Sequence, residues 1–167
     1  MNAVAHWVPA YIGVGSNLAD PVAQVRRALE RLDALPGTRG VRHSPLYRNP
    51  PLGPQDQPDY VNAVAGVLTQ LTPRALLGEL QALETALGRT RVAGDRWGPR
   101  VIDLDLLACG AQELVEPGLV LPHPGISERN FVLFPLYDVA PGLSVPGQGT
   151  VRDMISRVDG SALVPVT

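Results

Sequence analysis

No lysine occurs in this chain; all 14 basic side chains are arginine. Two common nucleotide sites are thereby excluded, the Gly-Lys-Ser/Thr phosphate loop and the protein-kinase site with its strand lysine, so any nucleotide must be held by arginine and metal. Cysteine is nearly absent too. Cys109 is alone, which rules out an internal disulfide, and its place at the end of an apolar run reads as a buried thiol. There is no excess of basic charge either, since the formal net charge is −2, and this argues against nucleic acid as a partner. No apolar stretch is long enough to span a bilayer, and Met1 to Ala10 lacks a charged segment leading into an apolar core. The expectation is a cytoplasmic protein without membrane contact. At 167 residues of mixed composition the chain reads as a single domain over 1–167.

Punctuation by proline and glycine divides the chain into elements. Tyr11 to Gly15 is an apolar run ending at Ser16-Asn17, a first strand and turn. Asp20 is a helix N-cap followed by Pro21, and Val22, Val25, Leu29, Leu32 and Leu35 recur at helical spacing until Pro36-Gly37. Val41 to Tyr47 and Tyr60 to Leu71 read as further strands, joined by the long loop Asn49 to Asp59 with its four prolines. Thr72 and Pro73 open a second helix with a stripe of Leu76, Leu80, Leu83 and Leu87, closed by Gly88. A strand over Val101 to Leu107 follows, then Leu119 to Leu121 and an apolar segment from Arg129 to Tyr137. This is the split β-α-β order of a ferredoxin-like α+β fold, with helices on one sheet face and the other left for a site.

The run Arg96-Trp-Gly-Pro-Arg-Val-Ile-Asp-Leu-Asp105 carries the chemistry. On a strand, Asp103 and Asp105 share one face about 7 Å apart, while Ile102, Leu104 and Leu106 enter a core. One reading is a solvated face whose acids pair with Arg96 or Arg100. The other is a metal site, and the context favours it: Arg89, Arg91, Arg96 and Arg100 occupy a segment broken by Gly94, Gly98 and Pro99, a basic loop suited to phosphate. Mg²⁺ commonly takes one or two carboxylates and completes its shell with water and phosphate oxygens. Trp97 would stack on a flat ring or pack the loop. Gln81 and Glu84 lie on one flank of the second helix, bordering that loop. Nothing suggests a role for His6, Trp7 or His43 beyond surface and packing.

Four separated motifs, Tyr11-Ile-Gly-Val-Gly-Ser-Asn-Leu18, Pro50-Pro-Leu-Gly-Pro-Gln-Asp-Gln-Pro-Asp-Tyr60 with Asn62, Arg96 to Asp105, and Pro122-His123 followed by Arg129 and Phe131, resemble the 6-hydroxymethyl-7,8-dihydropterin pyrophosphokinase family of folate biosynthesis. The resemblance covers about residues 11–143. It implies a three-layer α-β-α form of the ferredoxin-like fold with additional C-terminal elements, and transfer of pyrophosphate from ATP to the pterin hydroxymethyl oxygen, yielding AMP. By the same resemblance two Mg²⁺ ions sit on Asp103 and Asp105. The pterin contacts fall on Asn49, Pro50, Leu52, Gly53, Tyr60, Asn62, Trp97 and Phe131, with Tyr60 and Phe131 sandwiching the ring. Those to ATP fall on Gln81, Glu84, Arg89, Arg91, Arg96, Trp97, Arg100, Ile102, His123 and Arg129. Arg91 and Arg100 are expected to act with the two aspartates on the reacting phosphates, in a protein expected to work as a monomer on small molecules alone. The competing readings are a non-catalytic ferredoxin-like nucleotide-binding module and a metal-dependent phosphohydrolase.

Overall fold

Strand-forming residues at the start of the chain alternate strictly between two environments. In the computed structural model, which describes residues 6–90 and 99–166, β1 (Val8–Ser16) buries Ala10, Ile12 and Val14 on one side and turns Tyr11, Gly13 and Gly15 to the other. α1 (Pro21–Leu32) starts as the sequence predicts: Asp20 accepts from the Ala23 amide at 3.3 Å, and Val25, Leu29 and Leu32 are buried. β2 (Thr38–His43) and β3 (Tyr47–Asn49) replace the single strand expected over Val41 to Tyr47. Pro45 has no amide to donate, and Ser44 keeps the sheet satisfied at the break, its hydroxyl accepting from the Val64 amide at 2.9 Å.

β4 (Tyr60–Thr69) is the central strand, and α2 (Pro73–Ala86) follows it with Thr72 accepting from the Ala75 amide at 3.2 Å. Gly88 closes α2 with φ of +100°, a left-handed turn that favours glycine. The Gly88 amide donates to Thr85 O and the Arg89 amide to Glu84 O, each at 3.0 Å, the paired bonds of a Schellman cap. β5 (Asp103–Cys109), β6 (Leu114–Glu116), β7 (Leu119–Leu121), α3 (Asn130–Val139), β8 (Ser144–Val145), β9 (Gly149–Thr150), α4 (Val151–Ile155) and β10 (Val164–Pro165) complete the chain.

The main sheet runs β10-β3-β4-β1-β5, with β2 also paired to β4, and every pairing in it is antiparallel. Taking β2 and β3 as one bent strand, this is the ferredoxin-like order. One face packs α1 and α2 over the larger core, with Leu76, Leu80, Ile102, Leu104 and Leu106 all buried. The expectation of helices on one face only is corrected: α3 and α4 close part of the second face around Val64, Leu107, Leu133, Leu136 and Met154. Gly66 lets α3 approach, since a Cβ there would stand 2.9 Å from Val139 Cγ1. The helices give three layers, and α3 leaves the other end of this face open. No helix among the described residues is long and apolar enough to cross a membrane.

Candidate active site

Register places the site. In β1, Gly15 lies opposite Asp103 on one side and Asn62 on the other, and Gly13 lies opposite Asp105. A row Asn62–Gly15–Asp103 therefore crosses three strands, about 10 Å from end to end at the ordinary strand spacing. Gly15 leaves the floor bare for a steric reason: a Cβ there would stand 2.6 Å from Asn62 Oδ1. Above this floor is a cavity of about 300 Å³. Its lining includes Asn49, Leu52, Gly53, Tyr60 and Asn62 at one end, Arg89, Arg100, Asp103 and Asp105 at the other, and His123, Arg129 and Phe131 from the segment leading into α3.

The amide end is built by β3, β4 and the proline-rich loop. Asn62 Nδ2 donates to Asn49 Oδ1 at 2.6 Å, and both side chains are buried. Asn49 Nδ2 is turned back to Pro50 O at 3.0 Å. The loop ties itself down as well, Gln55 Nε2 donating to Pro51 O and Gly53 O at 3.0 Å each. Tyr60 and Phe131 both reach the cavity, an aromatic from the sheet and one from the first turn of α3.

The acidic end is strongly charged. Glu84 is only 2 % exposed, its carboxylate accepting from the Leu104 amide at 2.9 Å and pairing with Arg89. Arg89 also reaches Asp103 Oδ1 at 2.9 Å, so the Schellman cap of α2 delivers its guanidinium between two carboxylates. Asp105 is pushed up to about 7 by burial first and by the Asp103 charge beside it, against the opposing pull of Arg129 and Arg89. His123 is held below its ordinary value by burial and by Arg129, which keeps the ring neutral. Its Nδ1 accepts from the Gly125 amide at 3.0 Å, so the proton of the neutral ring is on Nε2.

Such a donor set fits a hard dication. Two carboxylates crowd one strand face at a cost in charge repulsion that a divalent cation would relieve, and the surrounding arginines suit phosphate. Among the described residues no cluster of three or more His, Cys, Asp or Glu forms a self-contained metal cage. A cation there would complete its shell with water or substrate oxygens.

Most of the residues named from sequence converge on this cavity, and some do not. Asn49, Leu52, Gly53, Tyr60, Asn62, Arg89, Arg100, Asp103, Asp105, His123, Arg129 and Phe131 line it. Pro50 stands beside it and is exposed. Ile102 is fully buried in the larger core, so only its backbone is left to face a ligand. Gln81 is exposed while Glu84 points inward, which separates two residues expected on one flank. Arg91, Arg96 and Trp97 lie outside the described residues. Sequence reasoning misses Gly13 and Gly15, though glycines alternating on one strand face signal a close approach. It also misses Asn17, which looks like part of a turn, and no local pattern marks its contacts.

The family model described as 7,8-dihydro-6-hydroxymethylpterin-pyrophosphokinase (HPPK) matches residues 11–141. The chain is 46% identical over 154 residues to the 2-amino-4-hydroxy-6-hydroxymethyldihydropteridine pyrophosphokinase of Methylorubrum extorquens, covering 92% of this chain and 96% of that one. It is 51% identical over 136 residues to the Pseudomonas aeruginosa protein of the same name, covering 81% of this chain and 83% of that one. Among solved structures, the wild-type HPPK-DHPS of Plasmodium falciparum with pteroate superposes with a TM-score of 0.73 at 12% identity. The match covers 94% of this chain but 43% of that one, and it establishes the fold alone.

Proposed function

We propose the following chemistry for this chain, which belongs to the 7,8-dihydro-6-hydroxymethylpterin-pyrophosphokinase family and is therefore a transferase, a pyrophosphokinase of folate biosynthesis. ATP gives its β- and γ-phosphates as one unit to the hydroxymethyl oxygen of 6-hydroxymethyl-7,8-dihydropterin. The alcohol oxygen bonds to the β-phosphorus, the bond from that phosphorus to the α–β bridging oxygen breaks, AMP leaves, and the alcohol proton passes to solvent. The observation that carries the reading is the shared floor of one cavity, with buried amides at one end and a crowded carboxylate pair ringed by arginines at the other.

Asn62 and Asn49 present amide groups to the hydrogen-bonding edge of the pterin, while Tyr60 and Phe131 close on its faces. Asp103 and Asp105 would hold the Mg²⁺, two ions by the family resemblance, and bound Mg²⁺ supplies neutralisation of the triphosphate and of charge developing on departing AMP. As a residue that would hold the metal, Asp105 would be a weak base, so its part would be to bind the cation and not to take the alcohol proton. Arg100 and Arg129 turn guanidinium forks toward phosphate oxygens, and Arg91 and Arg96 are assigned the same work. Arg89, fixed between Glu84 and Asp103, sets the carboxylate as well as adding charge. His123 offers its Nε2 proton as a neutral donor to nucleotide oxygen. The protein acts on small molecules as a monomer.

Asp103→Asn and Asp105→Asn test the reading. Each is expected to lose turnover by about a hundred- to a thousandfold with the folded circular dichroism spectrum retained, the scale seen when a preorganised electrostatic contact is removed. Retained turnover in either variant contradicts the assignment.

A further inference from the structure

The side chain that joins the two ends of the cavity does not itself line it. Asn17, just after β1, is 1 % exposed and uses its whole amide. Its Oδ1 accepts from the Arg100 amide at 2.8 Å, and its own backbone amide donates to Arg100 O at 3.0 Å. Its Nδ2 donates to Gln57 Oε1 at 3.0 Å and to Pro58 O at 2.9 Å. The first pair fixes the segment that enters β5 three residues before Asp103. The second fixes the proline-rich loop that carries Leu52 and Gly53 to the cavity wall. These partners lie 83 and 40 residues away in sequence, so neither loop's own sequence sets its position relative to the other.

We propose that Asn17 is a positioning residue that holds the pterin wall and the phosphate wall in register. The inference rests on the pyrophosphoryl-transfer reading for its kinetic consequence, though not for the clamp itself. The amide's two halves serve different walls, so chemistry separates them. Asn17→Asp keeps an acceptor for the Arg100 amide but sets an oxygen against Pro58 O, which can only accept, and forces the Gln57 amide to turn over before it can donate. Gln57→Ala, at a half-buried loop position, removes one loop partner and leaves the Arg100 pair intact. Asn17→Ala removes both side-chain links and leaves only the backbone bond to Arg100 O.

The test combines steady-state kinetics with amide hydrogen exchange on the ligand-free protein. Gln57→Ala is expected to raise KM for the pterin about three- to tenfold, and Asn17→Asp by about tenfold or more, with KM for ATP moving less than about twofold, on the scale of one lost hydrogen bond. Asn17→Ala is expected to raise both. Exchange should quicken at Leu52 to Gln57 in Gln57→Ala and Asn17→Asp while the Arg100 amide stays protected. A merely structural asparagine would lower the melting temperature and leave this KM split absent; equal rises in both KM values, or unchanged exchange in the loop, overturn the proposal. Absence of AMP from the unaltered protein would overturn the reaction instead, and the exchange comparison would then decide the clamp by itself.

Discussion

Replacing Gly15 by alanine adds one methyl group at the centre of the site. The new Cβ would stand 2.6 Å from Asn62 Oδ1, where real Cβ contacts are essentially never under 3.0 Å, so the amide must retreat by several tenths of an ångström. Asn62 is not free to do so, because its Nδ2 is held by Asn49 Oδ1 at 2.6 Å. Leaving a buried amide without its partner costs about 1–3 kcal/mol. At about 1.4 kcal/mol per tenfold, pterin binding is expected to weaken by roughly 5- to 150-fold. The melting temperature should fall by about 2–4 °C for each kcal/mol lost. Gly13→Ala is the control, for there a Cβ meets only Leu107 at 3.6 Å, an ordinary contact. Calorimetric titration with 6-hydroxymethyl-7,8-dihydropterin beside differential scanning calorimetry reads both quantities. Unchanged pterin affinity in Gly15→Ala, or a larger loss in Gly13→Ala, would refute the steric argument.

The raised Asp105 carboxyl predicts a pH dependence of stability. With a folded value near 7 against an ordinary 3.8, the native state binds the proton more tightly than the unfolded chain, so the ionised form destabilises progressively as pH rises from about 4 to 7. Asp105→Asn is therefore expected to raise the melting temperature at pH 8 and to change it least near pH 4; no gain at pH 8 would contradict burial and charge repulsion as the source of the raised value. Millimolar Mg²⁺ with a non-hydrolysable ATP analogue should stabilise the unaltered protein at pH 8 and fail to stabilise Asp103→Asn, as thermal melts would show. Glu84→Ala strands the Leu104 amide and removes one carboxylate from Arg89, a loss on the scale of about 3–5 kcal/mol for breaking a buried pair. Glu84→Gln keeps an acceptor for Leu104 and should lose less, so equal losses by denaturant titration would count against that division of labour.

Features written in short stretches of sequence are the legible ones. Asp20 and Thr72 cap the two helices and Gly88 ends the second, because capping depends on a residue and its third or fourth neighbour. The alternation of Ile102, Leu104 and Leu106 against Asp103 and Asp105 likewise follows from strand geometry. What depends on distant partners is hidden. Pro45 breaks a strand whose sheet bonding is rescued by the Ser44 hydroxyl, and α3, apolar on most sides because it packs between the sheet and α4, shows no stripe to announce which face it covers. Glu84 looks like a boundary residue until β5 brings the Leu104 amide against it, and Asn17 like a turn until two loops close on it. The family's motifs supply the pterin end, which no periodicity suggests.

The reaction itself is tested most directly by incubating the purified protein with Mg-ATP, with and without 6-hydroxymethyl-7,8-dihydropterin, and identifying the nucleotide formed. AMP in step with pterin pyrophosphate, and only when the pterin is present, is the expected result. ADP as product, or ATP cleavage that ignores the pterin, would contradict it.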